Sequence, residues 1–259
     1  MTSTVALQVS IHRHDVTWPC GFLWGAFLAG MIMVGISAIK QFASNIAIHS
    51  MARARELMGA ESRYCIRGAY RHRNTYCYFD DTPLTDEYQK EVYLRAADIA
   101  GKEVVRSVYD VGCGSGYKLV NYLGQYDTLG FDVPETVEFL RRTHPDRKWT
   151  HVPFSDRAHP AADLVICSDV IEHVVNPNEL MDFLVSLSRK WLVLSTPDRG
   201  REYSALSPFQ LGPPHTDHHM REWAFEEFRR YVGQFVVIRE HVHPNLNHAT
   251  QMIVATVRT

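Results

Sequence analysis

Cysteine is scarce and unpaired in this chain of 259 residues: the five (Cys20, Cys65, Cys77, Cys113 and Cys167) are odd in number and form no CxxC pair. That excludes a disulfide framework and a cysteine-built zinc site, and makes a reducing compartment the expectation. An excess of one charge sign is also missing, with 27 basic against 29 acidic side chains. A dedicated nucleic-acid binder normally carries a strong basic excess, so no nucleic-acid partner is expected. Internal repeats and low-complexity stretches are absent as well. What is present is a globular composition, 46% hydrophobic and 22% charged, which excludes a disordered chain and a polytopic membrane protein. The length suits one ordinary domain plus an appendage, or two small domains.

One long run lacks charge altogether. From Thr17 to Ile39 the chain reads TWPCGFLWGAFLAGMIMVGISAI, twenty-three residues without a charged side chain. About 20 apolar residues cross a hydrocarbon core, so the run is expected to be a single membrane anchor, with Trp18 and Trp24 toward one interface. Lys40, Arg53, Arg55, Arg63, Arg67, Arg71 and Arg73 follow it, against Glu56 and Glu61. That asymmetry puts the large C-terminal part in the cytoplasm, anchored to the inner face of the membrane. Two other readings of the run are a buried core helix and an over-extended frame whose true start is Met51. A secretory signal fits less well, because its apolar core is shorter. The chain is thus divided into a tail and anchor (1–50), an Arg- and Tyr-rich lead-in (51–84) and a main domain (85–259).

Within the main domain, apolar runs alternate with amphipathic helices. Tyr88, Val92, Tyr93, Ala96 and Ile99 recur at helical spacing after Thr85, and Gly101 ends that helix. Strands are predicted at Val104–Asp110, Thr128–Asp132, Trp149–Val152, Asp163–Ser168 and Trp191–Thr196. Helices are predicted at Tyr117–Gly124, Glu135–Thr143, Asn178–Ser188 and Trp223–Val232. Such alternation implies βαβ units and a parallel sheet covered on both faces, an α/β, Rossmann-like three-layer sandwich. Phe235–His243 and Thr250–Arg258 have no helix between them and read as a hairpin, which makes the last strand antiparallel.

Between the first predicted strand and the helix after it lies Asp110-Val-Gly112-Cys113-Gly114-Ser-Gly116-Tyr117. Glycines there let the backbone turn sharply and let a ligand approach the main chain. A dinucleotide fingerprint would need a glycine at position 117, where Tyr stands. Asp110 would repel a pyrophosphate but suits an ammonium group. Asp132 ends the second strand, twenty residues past Gly112, where a carboxylate accepts both hydroxyls of a ribose. A ligand with a ribose, a cationic amino-acid end and no phosphate points to S-adenosyl-L-methionine.

DVGCGSG, the aspartate of GFDVPE, SDVIEHV after the fourth strand and STPDR at the end of the fifth resemble class I S-adenosylmethionine-dependent methyltransferases. The resemblance runs from about Tyr78 to the C-terminus. YFDDTPLTDEYQKEVY, DVPETVEFLRRTHPDRKW, GPPHTDHHMREW and NHATQ are similar to a bacterial group associated with sugar and polysaccharide modification. The resemblance implies a seven-stranded sheet of order 3-2-1-4-5-7-6. Asp110, Gly112 and Gly114 would cradle the methionine end, with Cys113 a small filler between them. Asp132 and Val133 would hold the ribose and flank the adenine, and Ser168 and Asp169 would line the cofactor. For the adenine amino group two readings stay open: Asp156 serves with a shift of register, or Phe154 packs on the ring.

The expected activity is methyl transfer to a hydroxyl of a small molecule or glycan. Removal of the hydroxyl proton suits a histidine, and His219 and then His173 are the candidates. His173 reads equally as a residue that satisfies backbone groups in a tight turn. His215-Thr-Asp217-His218-His219-Met-Arg221-Glu222-Trp223 is the densest polar cluster, and its imidazoles and carboxylates raise the question of a metal. Adjacent His218 and His219 do not share a helix face and the resemblance supplies no required metal, so none is expected. The cluster reads instead as an acceptor loop, or as structural capping of the next helix. No NPPY-type tetrad follows the fourth strand, which disfavours a nitrogen acceptor. The rival functions are a methyltransferase of quinone or lipid intermediates and a non-catalytic cofactor-binding scaffold.

Overall fold

The computed structural model describes residues 39–51, 63–75 and 77–258, in two compact units divided between Ile46 and Ala47. Residues 39–51 are helical. The predicted anchor at 17–39 lies outside the described residues except for Ile39, and among the described residues no helix is long and apolar enough to cross a membrane.

The second unit holds a seven-stranded sheet of order β3-β2-β1-β4-β5-β7-β6. Its strands are β1 (Ser107–Val111), β2 (Asp127–Phe131), β3 (Lys148–Thr150), β4 (Ala162–Ser168), β5 (Ser188–Pro197), β6 (Val237–Val242) and β7 (Thr250–Thr256). The first five run parallel, with Tyr109 opposite Leu129 and Val165 opposite Leu192. β7 is antiparallel to both β5 and β6, with Val193 opposite Val254 and Ile238 opposite Ala255. Strand order and the antiparallel last strand agree with the expectation from the sequence.

Six helices connect and cover the sheet: α1 (Lys90–Lys102), α2 (Tyr117–Leu123), α3 (Pro134–Thr143), α4 (Pro177–Leu187), α5 (Arg199–Glu202) and α6 (Phe225–Val232). Successive side chains of a strand point to opposite faces, so one strand feeds two cores. In β4, Leu164 and Ile166 pack with Val92, Ala96, Leu119 and Leu140 of α1 to α3. Val165 and Cys167 pack with Leu180, Phe183, Leu184 and Phe228 of α4 and α6. All four β4 residues are fully buried, and each such apolar side chain contributes about 1.5–3 kcal/mol of transfer free energy.

Two helices start later than their sequence periods suggest. Gln89, just before α1, has φ +63°, a left-handed residue that breaks the helical path. Thr85 is not its cap, because its amide and hydroxyl both donate to the Glu87 carboxylate. α6 begins at Phe225 rather than at Trp223, and the Glu227 carboxylate caps it by accepting from Ala224 N at 2.9 Å. Trp223 is left free to sink fully into the core.

The described part of the lead-in, residues 63–75 and 77–84, is irregular apart from a 3-10 turn at Arg63–Cys65, yet it is docked; the helix expected at its start, from about Arg53, lies outside the described residues. Tyr70 Oη accepts from Glu222 N at 2.9 Å, and Trp223 Nε1 donates to Tyr64 O at 2.9 Å. The Arg73 guanidinium donates to Pro214 O at 2.6 Å and to the carbonyls of Thr216 and His219 at 3.3 Å. These bonds fix the loop between β5 and α6 over the C-terminal ends of the parallel strands, the edge at which open α/β sheets bind ligands.

Candidate functional site

A cavity of about 930 Å³ opens at that edge, lined by the ends of β1, β2, β4 and β5 and by the segment before α1. Its floor is the glycine loop. Gly112 has φ +77°, and a Cβ there would overlap Val170 Cγ2. Gly114 has φ +52°, and a Cβ there would overlap the Asp81 carboxylate. Both positions therefore exclude a side chain through backbone conformation and through space. Gly112 N and Cys113 N donate to Phe131 O at 2.8 and 3.3 Å, which ties the loop to the end of β2.

Two carboxylates mark the ends of this cradle. Asp132 Oδ2 accepts from Gly114 N and Oδ1 from Val133 N, each at 2.8 Å. A carboxylate offers about four acceptor sites, so both oxygens keep a lone pair for a ribose hydroxyl. Asp110 is fully buried; its Oδ2 accepts from Tyr93 Oη at 2.9 Å, and its Oδ1 has no protein partner. Burial pushes the Asp110 pKa up to about 7, and the nearby charges of Asp132 and Asp81 add to the rise. Burial and the Asp132 charge also carry Asp81 up to about 6, while burial raises Asp132.

Three crowded carboxylates, one with an orphaned buried oxygen, are destabilised by mutual repulsion and loss of water. A ligand with a positively charged tail relieves both effects, whereas a phosphate would worsen them. Residues Asp110, Gly112, Gly114 and Asp132 therefore fit S-adenosyl-L-methionine.

The other end of the cavity is built by the turn after β4 and the loop after β5. Ser168 and Asp169 line the cavity. Ser195 Oγ lies 2.8 Å from Ser168 Oγ and donates to Asp169 Oδ1 at 2.6 Å. Asp169 has φ +53°, and burial raises its pKa. His173 and His219 face each other edge to face, with ring centroids 4.9 Å apart. His219 Nδ1 is 2.7 Å from Glu222 Oε1, and His173 Nδ1 is 3.0 Å from His218 O. Burial, with the repulsion of His219, lowers the His173 pKa to about 4. Burial works against protonation of His219 too, but the hydrogen bond to Glu222 and the charge of Glu172 outweigh it, and the net shift is upward.

Of the sequence-selected residues, Gly112, Cys113, Asp132, Val133, Phe154, Ser168, Asp169, His173 and His219 line this one cavity; Gly114 lies beneath Asp81, and Asp110 is fully buried, bonded to the lining residue Tyr93. Phe154 is among them and packs on Phe183 with centroids 5.6 Å apart. Asp156 turns back into its own loop, where its carboxylate accepts from Ala158 N and meets His159 Nδ1, each at 2.8 Å. Burial raises the Cys113 thiol well above its usual range, the behaviour of a loop filler and not of a nucleophile. Asp81, Tyr93 and Glu222 were not selected for these roles. The acidic doublet Asp80–Asp81 in an aperiodic stretch was the one signal for Asp81. Tyr93 looks like any apolar-face residue of α1, and its bond to Asp110 exists only in the folded chain.

A family model described as a methyltransferase domain matches residues 83–243. A comparison with curated proteins found no match. Among solved structures, magnesium protoporphyrin IX methyltransferase from Synechocystis PCC 6803 with bound SAH is 17% identical; the match covers 66% of this chain and 84% of that one, with a TM-score of 0.52. Human N-acetylserotonin methyltransferase in complex with SAM is 16% identical over 67% of this chain and 53% of that one, with a TM-score of 0.51. A protein from Pyrococcus horikoshii OT3 is 12% identical over 70% and 95%, with a TM-score of 0.54. At such identities the likeness establishes the fold. The family match extends over more than half of the chain: it belongs to the methyltransferase-domain family, and its cofactor is S-adenosyl-L-methionine.

Proposed function

We propose that this enzyme methylates a hydroxyl group of a small molecule or glycan. The observation that carries the reading is the pair of imidazoles, His173 and His219, sharing one cavity with the carboxylate-ended cradle. The bound cofactor supplies a methyl group on a sulfonium, already activated toward in-line displacement. The chain's own tasks are to align the acceptor oxygen, exclude water and deal with the hydroxyl proton. Asp110 takes the ammonium of the cofactor, Asp132 and Val133 its ribose, and Phe154 packs on its adenine. Glu222 fixes His219 with Nδ1 engaged, which leaves Nε2 for the acceptor side. The hydroxyl is activated through His219, with His173 beside it.

The test is incubation of the full-length chain with cofactor and a panel of sugar nucleotides, glycans and quinone precursors, read by mass spectrometry. The gain of one methylene on a sugar hydroxyl is the expected outcome. General acid–base assistance is worth about 10²–10⁴ in rate, so His219→Ala should lower kcat by that order with cofactor affinity unchanged. Unchanged turnover in His219→Ala would remove it from the mechanism. A second reading draws on the apolar wall of the cavity, where Phe79, Leu84, Val174 and Val175 lie. It assigns the acceptor to quinone or lipid intermediates, and methylation of the quinone precursors alone would decide for it. Binding of cofactor without turnover on any acceptor would favour the scaffold.

A further inference from the structure

We infer that Glu172, His173 and His219 form a binding site for one divalent transition-metal cation on the acceptor side of the cavity. The site deepens the methyl-transfer reading and rests on it for its role, although its existence is testable without it. One potential ligand atom from each of the three residues lies within 4.8 Å of the other two. At metal–nitrogen distances of about 2.0–2.1 Å, neighbouring ligands of one ion stand about 3–3.5 Å apart, so a closure of roughly an ångström completes the shell.

A second observation points to a ligand independently. Glu172 is fully buried, and only its Oε2 is satisfied, accepting from Thr196 Oγ1 at 2.9 Å. Oε1 has no hydrogen-bond partner and stands 3.9 Å from His173 Nε2. An unpaired buried carboxylate oxygen costs free energy that a cation between these atoms would recover. Asp169 adds a second acidic group nearby. Among the described residues neither Asp169 nor Glu172 has a Lys or Arg partner in a salt bridge.

The outer contacts of the two imidazoles have the form that ligating histidines require. Each Nδ1 is engaged, His219 with a carboxylate and His173 with a main-chain carbonyl. That fixes the tautomer with the proton on Nδ1 and leaves the Nε2 lone pair of each ring free. Two imidazoles with one or two carboxylates suit borderline ions from Mn²⁺ to Zn²⁺ better than Mg²⁺ or Ca²⁺, which prefer all-oxygen shells. The ligands come from two loops far apart in sequence. The expectation of no metal rested on the 215–223 segment, where His218 in fact contributes its carbonyl and not its ring, and on a resemblance that supplies no required metal.

Three protein ligands leave a position open for the acceptor oxygen. A cation there makes the hydroxyl more acidic and, once bound, replaces the role of His219 as a free base, so that turnover still depends on His219 but as a ligand of the ion. The proton leaves to solvent water and an oxygen lone pair forms the new C–O bond. The C–S bond breaks with its electron pair going to sulfur, and the cation does not change oxidation state.

Titration of the full-length chain with Mn²⁺, followed by electron paramagnetic resonance without cofactor or acceptor, tests the site. The expected result is one Mn²⁺ per chain, displaced by Zn²⁺. Glu172→Gln and His219→Ala should weaken Mn²⁺ by at least tenfold, and Glu222→Gln, which loosens an outer contact, by about 10–100-fold. Cofactor binding by calorimetry in the same variants verifies that they fold; should Glu172→Gln fail that check, His219→Ala carries the comparison. Absence of saturable binding of either ion, or binding equal in wild type and the folded variants, overturns the site. A chelator should also abolish turnover and Mn²⁺ restore it. If no acceptor is ever methylated, the titration still decides the cation site, so the two readings fail separately.

Discussion

Asp110 is held in a state that favours the ligand over the protein itself. Burial lifts its pKa to about 7, and that of Asp81 to about 6. Both carboxylates therefore bind more protons in the folded than in the unfolded chain between their ordinary range, about pH 4, and these raised values. The stability contributed by the protonated forms is fully present at low pH and is lost as pH rises through the folded-state values. Asp110→Asn removes the buried charge, so the cofactor-free variant should melt about 2–6 °C above wild type near pH 8 and gain nothing near pH 5, by differential scanning calorimetry. The same variant should lose about 100-fold in cofactor affinity, because a buried ionic contact is broken. In wild type, protons compete with the cationic ligand, and affinity should fall at least about tenfold from pH 8 to pH 5.5. A wild-type melting temperature that rises steadily over that interval would contradict the assignment. Asp110 and Asp132 were legible in the sequence because each ends a strand at a fixed offset from a glycine turn. Asp81 was not, because its place over Gly114 is set by the path of an irregular loop.

At the scale of elements, the strands and longer helices from Ser107 onward follow hydrophobic period closely and their errors fall at boundaries, while the four-residue α5, too short to show a period, was not predicted. The left-handed Gln89 and the core position of Trp223 are tertiary decisions that no local period carries. The role of the lead-in was hidden for the same reason. Tyr70, Arg71 and Arg73 show no period because they bond outward, one by one, to the loop that holds His219. Arg73 clamps the carbonyls of Pro214, Thr216 and His219. Arg73→Ala should thus loosen the acceptor side alone. Misplacement of a reacting group by about 1 Å costs roughly 10²-fold, so kcat should fall by about one to two orders of magnitude while the cofactor dissociation constant stays within about twofold. Equal losses in both quantities would mean that the clamp supports the whole fold instead.

For the molecule as a whole, the sheet order and antiparallel β7 were anticipated, the former through family resemblance and the latter also from the helix-free last pair of strands. The uncharged run at 17–39 makes a separate prediction: the intact chain should pellet with membranes on cell fractionation, and a soluble product beginning near Met51 would contradict the anchor. The meeting of Glu172 with His219 lay beyond sequence reasoning, because it joins turns after two different strands. The central claim concerns the cradle over β1 and β2. Calorimetric titration of the full-length chain with S-adenosyl-L-methionine tests it most directly. The account predicts one equivalent bound by wild type, and affinity at least about 100-fold weaker in Asp132→Ala once both ribose contacts are gone. A wild-type chain that takes up no cofactor, or an Asp132→Ala variant that binds as tightly as wild type, would contradict it.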